Sequence, residues 1–167
     1  MATPEIDERF LTAGREYGDA LIDLGLDPHA LFWAYDNSEE RHVLVLVTDF
    51  FDFKGPLEIS KQLFRAYNAS VTPKEIDPFT VRLHSINQAI GEEYRNFAGS
   101  DGKFKVWDKN MVPKPLPVEA RVESMNIGDI TMKPGWTICV RPSKRRTSVD
   151  LSRRWERFTR NVDRAAA

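Results

Sequence analysis

The stretch Ala30-Leu31-Phe32-Trp33-Ala34-Tyr35, then Asp36-Asn37-Ser38-Glu39-Glu40, then His42 to Phe50, reads as a β-hairpin. Aromatic and β-branched residues fill the two arms, and a polar run joins them. Within the second arm, Val43-Leu44-Val45-Leu46-Val47 shows no polar alternation. A strand of that kind is expected to be buried on both faces, inside a sheet rather than at its edge.

On the N-terminal side, the spacing predicts a helix from about Pro4 to Leu24. Thr3 is expected to cap it, and Pro4 suits the first helical position. Ile6, Phe10, Ala13, Tyr17, Leu21 and Leu24 recur at three and four, which gives one apolar face. Gly25 then reads as a left-handed stop. Gly14 and Gly18 lie inside this helix, where each costs about 1 kcal/mol relative to Ala. Close packing against another element is the expected compensation.

On the C-terminal side, Lys54-Gly55-Pro56 breaks the chain and a helix runs from Pro56 to about Ala69, with Ile59, Leu63, Phe64 and Tyr67 as its apolar stripe. Phe79 to Leu83 and Lys103 to Trp107 read as short strands, and Ser85 to Phe97 as a helix. Pro113, Pro115 and Pro117 make an extended stretch. Val118 to Met125 and Ile130 to Val140 read as two strands around Asn126-Ile127-Gly128-Asp129, and Lys133-Pro134-Gly135 interrupts the second as a bulge or turn. The mixed order of hairpins and helices predicts an α+β fold. Its mainly antiparallel sheet would carry N-terminal, central and C-terminal helices.

The last element, from about Asp150 to Arg164, is the clearest helix. At 100° per residue, Leu151, Trp155, Phe158 and Val162 fall within about 60° of one another. Arg153, Arg154, Arg157, Arg160 and Arg164 fall opposite. Glu156 is placed to pair with Arg153 and Arg160, and Asp163 with Arg160. Residues 141–167 carry nine basic and three acidic side chains, a net +6, whereas residues 1–140 carry 15 basic and 22 acidic, a net −7. An acidic body with a basic end means either a polyanion-binding arm or a tail docked on its own body. Residues 1–142 are therefore read as one α+β domain. Residues 143–167 form a basic linker and an amphipathic helix expected to pack on it.

The 167-residue chain is 41% apolar and 29% charged, which excludes disorder and fibrous repeats. Its single cysteine, Cys139, excludes an intrachain disulfide and multi-cysteine zinc motifs. The start Met1-Ala2-Thr3-Pro4-Glu5 lacks an apolar secretory core, no run approaches the roughly twenty apolar residues of a membrane span, and no acylation or prenylation signal is present. The expectation is a cytoplasmic protein.

Signals for chemistry are weak. Asp49 and Asp52 follow the hairpin's second strand, where ligands often gather, near Lys54 and Glu58. Two carboxylates can hold a metal ion or act as an acid–base pair, but a three-residue offset in extended chain points them apart. Asp108 with Glu119-Ala120-Arg121 is a poor nuclease match, because arginine replaces the lysine. His29, His42 and His84 have no metal-ligand spacing and read as loop or surface residues. Cys139 sits with Thr137 and Arg141 on the polar side of its strand, without a histidine to activate it. No catalytic residue, metal or cofactor is expected.

The reading that results is a non-enzymatic protein-interaction module that self-associates or binds a protein partner. Phe50, Phe51 and Phe53, an aromatic run expected in a loop, and Trp155 and Phe158 are its candidate contacts. The alternative is nucleic-acid binding through Lys144, Arg145, Arg146, Arg153, Arg154 and Arg157. A hydrolytic or metal-dependent enzyme using Asp49 and Asp52 is the third reading.

Overall fold

A computed structural model of the chain describes residues 3–88, 124–140 and 146–167. The hairpin is present as β1, Ala30–Asp36, and β2, Arg41–Val47, joined in antiparallel register with Ala30 opposite Val47 and Asp36 opposite Arg41. The second arm ends at Val47, not Phe50. Thr48 accepts from the Phe50 N–H through its Oγ1 at 3.2 Å, and Phe50–Lys54 forms a short helix, α2. The tight loop is set by Asp36. Its Oδ1 accepts from the Ser38 N–H and Oγ and from the Glu39 N–H at 2.6–3.1 Å, the side-chain mimic of a backbone turn.

Helix α1 runs over Glu8–Leu24. It starts four residues later than Pro4, because Asp7 takes the capping role and accepts from the Arg9 N–H at 2.9 Å. It closes on Gly25 at φ 100°, whose N–H donates to Leu21 and Ile22, while the Leu26 N–H donates to Leu21. Helix α3 covers Pro56–Asn68, with Ile59, Leu63 and Ala66 buried. A 3-10 turn over Pro78–Thr80 precedes β3, Val81–His84. Phe79 therefore lies outside the strand. Asp77 accepts from its N–H at 2.8 Å, and Pro78 starts the turn.

Strands β4, Met125–Ile127, and β5, Ile130–Val140, enclose a two-residue turn at Gly128-Asp129. In β5, Ala34 of β1 faces Met132 but Phe32 faces Thr137, so the Lys133-Pro134-Gly135 interruption is a bulge. Residues 85–88 form a turn; the rest of the expected 85–97 helix, the 103–107 strand, the proline stretch and residues 118–123 fall outside the described residues. Helix α4, Ser148–Ala166, is longer at both ends than expected and is capped by Thr147, whose Oγ1 accepts from the Asp150 N–H.

The sheet order is β3-β2-β1-β5-β4. It is a mixed sheet: β2–β3 is parallel and the other three pairings are antiparallel. The parallel pair needs a long crossover, which α2 and α3 supply. Alternation along β1 and β2 divides the core. Leu31, Trp33, Leu44 and Leu46 face α1, α3 and α4, and Phe32, Val43, Val45 and Val47 fill the other side with Met132 and Val140. Every residue from Val43 to Val47 is at most 2% exposed, as expected of an interior strand buried on both faces.

Gly14 marks the closest approach of α1 to the sheet. A Cβ there would lie 2.5 Å from Trp33 Nε1 and 2.6 Å from Ile138 Cδ1. The indole is held in place because Trp33 Nε1–H donates to the Phe10 carbonyl at 3.1 Å. Gly14→Ala is therefore expected to destabilise by about 1–3 kcal/mol despite a helix-propensity gain of about 1 kcal/mol. At Gly18 the nearest atom is Leu31 Cδ2 at 3.2 Å, a flexible neighbour, so Gly18→Ala should cost less. Chemical denaturation of the two variants checks the order.

Candidate functional site

The end of the sheet where β2 and β3 finish collects several of the polar side chains singled out in the sequence, His29, Asp49, Arg146 and Arg154. Asp49 is 6% exposed and lies under the start of α4. Its Oδ2 is 3.3 Å from His29 Nε2 and 3.3 Å from Arg146 Nη1. Arg146 Nη2 is 3.7 Å from Asp27 Oδ2, and Arg154 Nη1 donates to the same oxygen at 2.9 Å. Asp27 and His29 flank Pro28 between α1 and β1, so one short loop places both under α4. The two 3.3 Å contacts of Asp49 are off-axis and are not aligned hydrogen bonds; the contact with Arg146 is an ion pair. His29 is 5% exposed, so this histidine is not a surface residue.

Asp49 and Asp52 do not converge. Asp52 faces outward, where Ser85 Oγ donates to its Oδ2 and Asn87 Nδ2 donates to it at 2.9 Å. The pair caps a turn at the end of β3 and has no shared site with Asp49. Among the described residues, no group of three or more His, Cys, Asp or Glu side chains is placed to hold a metal ion. Cys139 is half-buried and packs with the helix-side core, because the bulge shifts the alternation of β5.

The aromatic candidates face one another. Phe50 is 1% exposed, Phe158 is fully buried, and Trp155 is 8% exposed. Phe50 meets Trp155 edge-on at 5.3 Å and stacks on Phe158 at 6.2 Å. These three side chains are core rather than surface. Phe51 and Phe53 are half-buried against the same core. A run of aromatics in a supposed loop is thus a helical turn that wedges α4 in place. Helix α4 is tied further by Asn161 Nδ2, which donates to the Leu24 carbonyl at 2.8 Å, and by Asp163, which pairs with Arg65 of α3 at 2.6 Å. Asp163 thus serves an interhelical contact instead of Arg160.

Of the polyanion candidates, Arg146 and Arg154 are engaged by Asp27 and Asp49, and Arg153 and Arg157 are exposed. Arg154 is half-buried, so it lies beside the apolar stripe and not opposite it. Lys144 and Arg145 fall outside the described residues.

A different surface is apolar and exposed. Leu57 is 66% and Phe79 is 69% exposed, and the Phe64 ring meets Phe79 edge-on at 5.0 Å. Leu57, Lys61 and Phe64 share one face of α3 at i, i+4 and i+7. Phe79 stands just before β3, the outermost strand on that side among the described residues. Phe64 was expected in the apolar stripe with Ile59, Leu63 and Tyr67, but the buried stripe is Ile59, Leu63 and Ala66, which leaves Phe64 on the Leu57 side. Phe79 was masked by its reading as a strand residue.

Two histidines titrate with the fold. His42 packs edge-on between Tyr35 and Trp136, and its Nε2–H donates to the Pro4 carbonyl at 3.1 Å. Burial lowers its pKa below the usual 6.5, and burial does the same for His84, which donates through Nδ1 to Gln88 Oε1 at 3.1 Å. The unfolded chain then binds more protons than the folded one below pH 6.5, so stability falls as pH drops from there toward the lowered values. The Ser38 hydroxyl holds Asp36 below the ordinary carboxylate value, which adds a further loss at still lower pH. Thermal unfolding at about pH 7.5 and 5.5 should show a lower Tm in acid, with a smaller drop in the His42→Phe, His84→Gln double variant. An equal drop in both proteins would contradict this origin.

No helix among the described residues is long and apolar enough to cross a membrane. No protein-family model, no curated protein and no solved structure matches the chain.

Proposed function

We propose that the chain is a non-enzymatic protein-interaction module whose contact surface is the Leu57–Phe64–Phe79 face. The observation that carries this is Phe79, a large aromatic side chain left 69% exposed and held edge-on by Phe64. Exposed aromatic clusters rimmed by charge are the usual anchors of protein interfaces. Lys61, Glu58 and Arg82 supply that rim. Against an enzymatic reading, Asp49 is spent on His29 and Arg146, and Asp52 on Ser85 and Asn87.

The test is affinity capture with the wild-type chain and a Leu57→Asp, Phe79→Asp variant. Both side chains are exposed, so the variant should keep its stability within about 0.5 kcal/mol. A partner retained by the wild type and reduced at least tenfold with the variant is the expected result. Equal retention by both proteins would remove this surface from the function. The nucleic-acid reading rests on the exposed Arg153 and Arg157. It requires binding whose log affinity falls by about 0.9 per neutralised phosphate against log salt on duplex DNA.

A further inference from the structure

Helices α1 and α4 meet at the C-terminal end of α1, where Asn161 Nδ2 donates to the Leu24 carbonyl and Arg157 and Phe158 stand beside Gly25. Each shows solvent a row of charge. On α1 the row is Glu16, Asp19 and Asp23, and on α4 it is Arg157, Arg160 and Arg164. Both have the spacing i, i+3, i+7, so both sets stand on one helical face. All six side chains are exposed, and none forms an ion pair among the described residues.

We infer that these two rows are the self-complementary halves of an interface between two copies of this chain, the acidic row of α1 in one copy lying on the arginine row of α4 in the other. A two-fold rotation satisfies both contacts at once, since each copy brings one row of each sign. The match extends beyond the six residues. About two turns before the acidic row stands Arg9, and at the same offset before the arginine row stands Asp150, both exposed. In parallel alignment these charges meet their opposites, Arg9 with Asp150, Glu16 with Arg157, Asp19 with Arg160 and Asp23 with Arg164, while Arg153 falls opposite Thr12. Antiparallel alignment sets Arg9 on Arg164 and Asp23 on Asp150, so the pattern also selects a direction.

The same observations disfavour a nucleic acid on the arginine row. A phosphate chain laid along α4 would pass the end of α1 that carries Asp23, on a body whose first 140 residues carry a net −7. Exposed ion pairs are individually weak and are screened by salt, so the association is expected to depend on concentration and to dissolve as ionic strength rises. This surface is separate from the Leu57–Phe79 face, and the Leu57→Asp, Phe79→Asp variant should self-associate like the wild type.

Sedimentation velocity on the full chain over a concentration series, at about 0.05 and 0.5 M salt, is the test. Variant one carries Arg157→Glu, Arg160→Glu and Arg164→Glu; variant two carries Glu16→Arg, Asp19→Arg and Asp23→Arg. The wild type should dimerise at low salt and dissociate at high salt, and each variant alone should bind itself at least tenfold more weakly. An equimolar mixture of the two should recover dimer, because each altered row meets an altered partner and each native row a native one. Should a triple variant lose its circular-dichroism spectrum, Arg160→Glu and Asp19→Arg carry the same exchange. A wild type that stays monomeric at low salt, variants that dimerise unchanged, or a mixture that recovers nothing would each overturn the inference. So would a monomeric wild type whose α4 row instead binds labelled single-stranded RNA and loses it in variant one.

Discussion

Phe158→Ala is expected to cost about 3–5 kcal/mol of folding stability. The side chain is fully buried and meets both Phe50 and Trp155, so its removal leaves a cavity that the surrounding rings are poorly able to refill. The site lies where α4 crosses α2, which means that the loss should appear as partial release of the C-terminal helix as well as a lower midpoint. A urea titration followed by far-ultraviolet circular dichroism measures the loss. A change below about 1 kcal/mol would mean that α4 is not part of the core.

Asp49→Ala is expected to cost about 3 kcal/mol, because it strands part of the charge on Arg146 and leaves His29 facing an emptied site. Asp27 stays within 3.7 Å of Arg146 and keeps the loss toward the lower end of what breaking a buried pair produces. A triple change, His29→Leu, Asp49→Leu and Arg146→Met, should recover much of the stability, since apolar packing commonly matches a buried ion pair. Urea titrations of the single and triple variants separate the two ideas. If the triple variant falls further than Asp49→Ala, charge is contributing more than geometry suggests.

The sequence carried the elements better than their partners. Period-four spacing found α1, α3 and α4, and the uninterrupted Val43–Val47 run found an interior strand, because burial on a helix or sheet face is written directly in local spacing. Gly25 ended α1 where expected, since few residues other than glycine adopt that φ readily. Local competition erased other boundaries. Asp7 outranked Thr3 as a cap, and Thr48, accepting from the Phe50 N–H, stands at the start of the Phe50–Lys54 helix. Which aromatics end on the surface is a tertiary matter. Phe50 and Phe79 are both phenylalanines beside a strand, yet one is 1% and the other 69% exposed, because only Phe50 lies under α4. The ion cluster was invisible for the same reason: Asp27, Asp49 and Arg146 are far apart in the chain and meet only once α4 docks.

The pairing of the α1 and α4 rows depends on α4 being seated in the fold instead of extending as a free basic arm. Native-state hydrogen exchange across residues 151–162 tests this most directly. If α4 is seated as described, those amides exchange only with global unfolding and are protected to the same degree as β1 and β2. Exchange of α4 at rates far above those of the sheet would contradict the seating, and would return its arginines to the role of a mobile polyanion-binding arm.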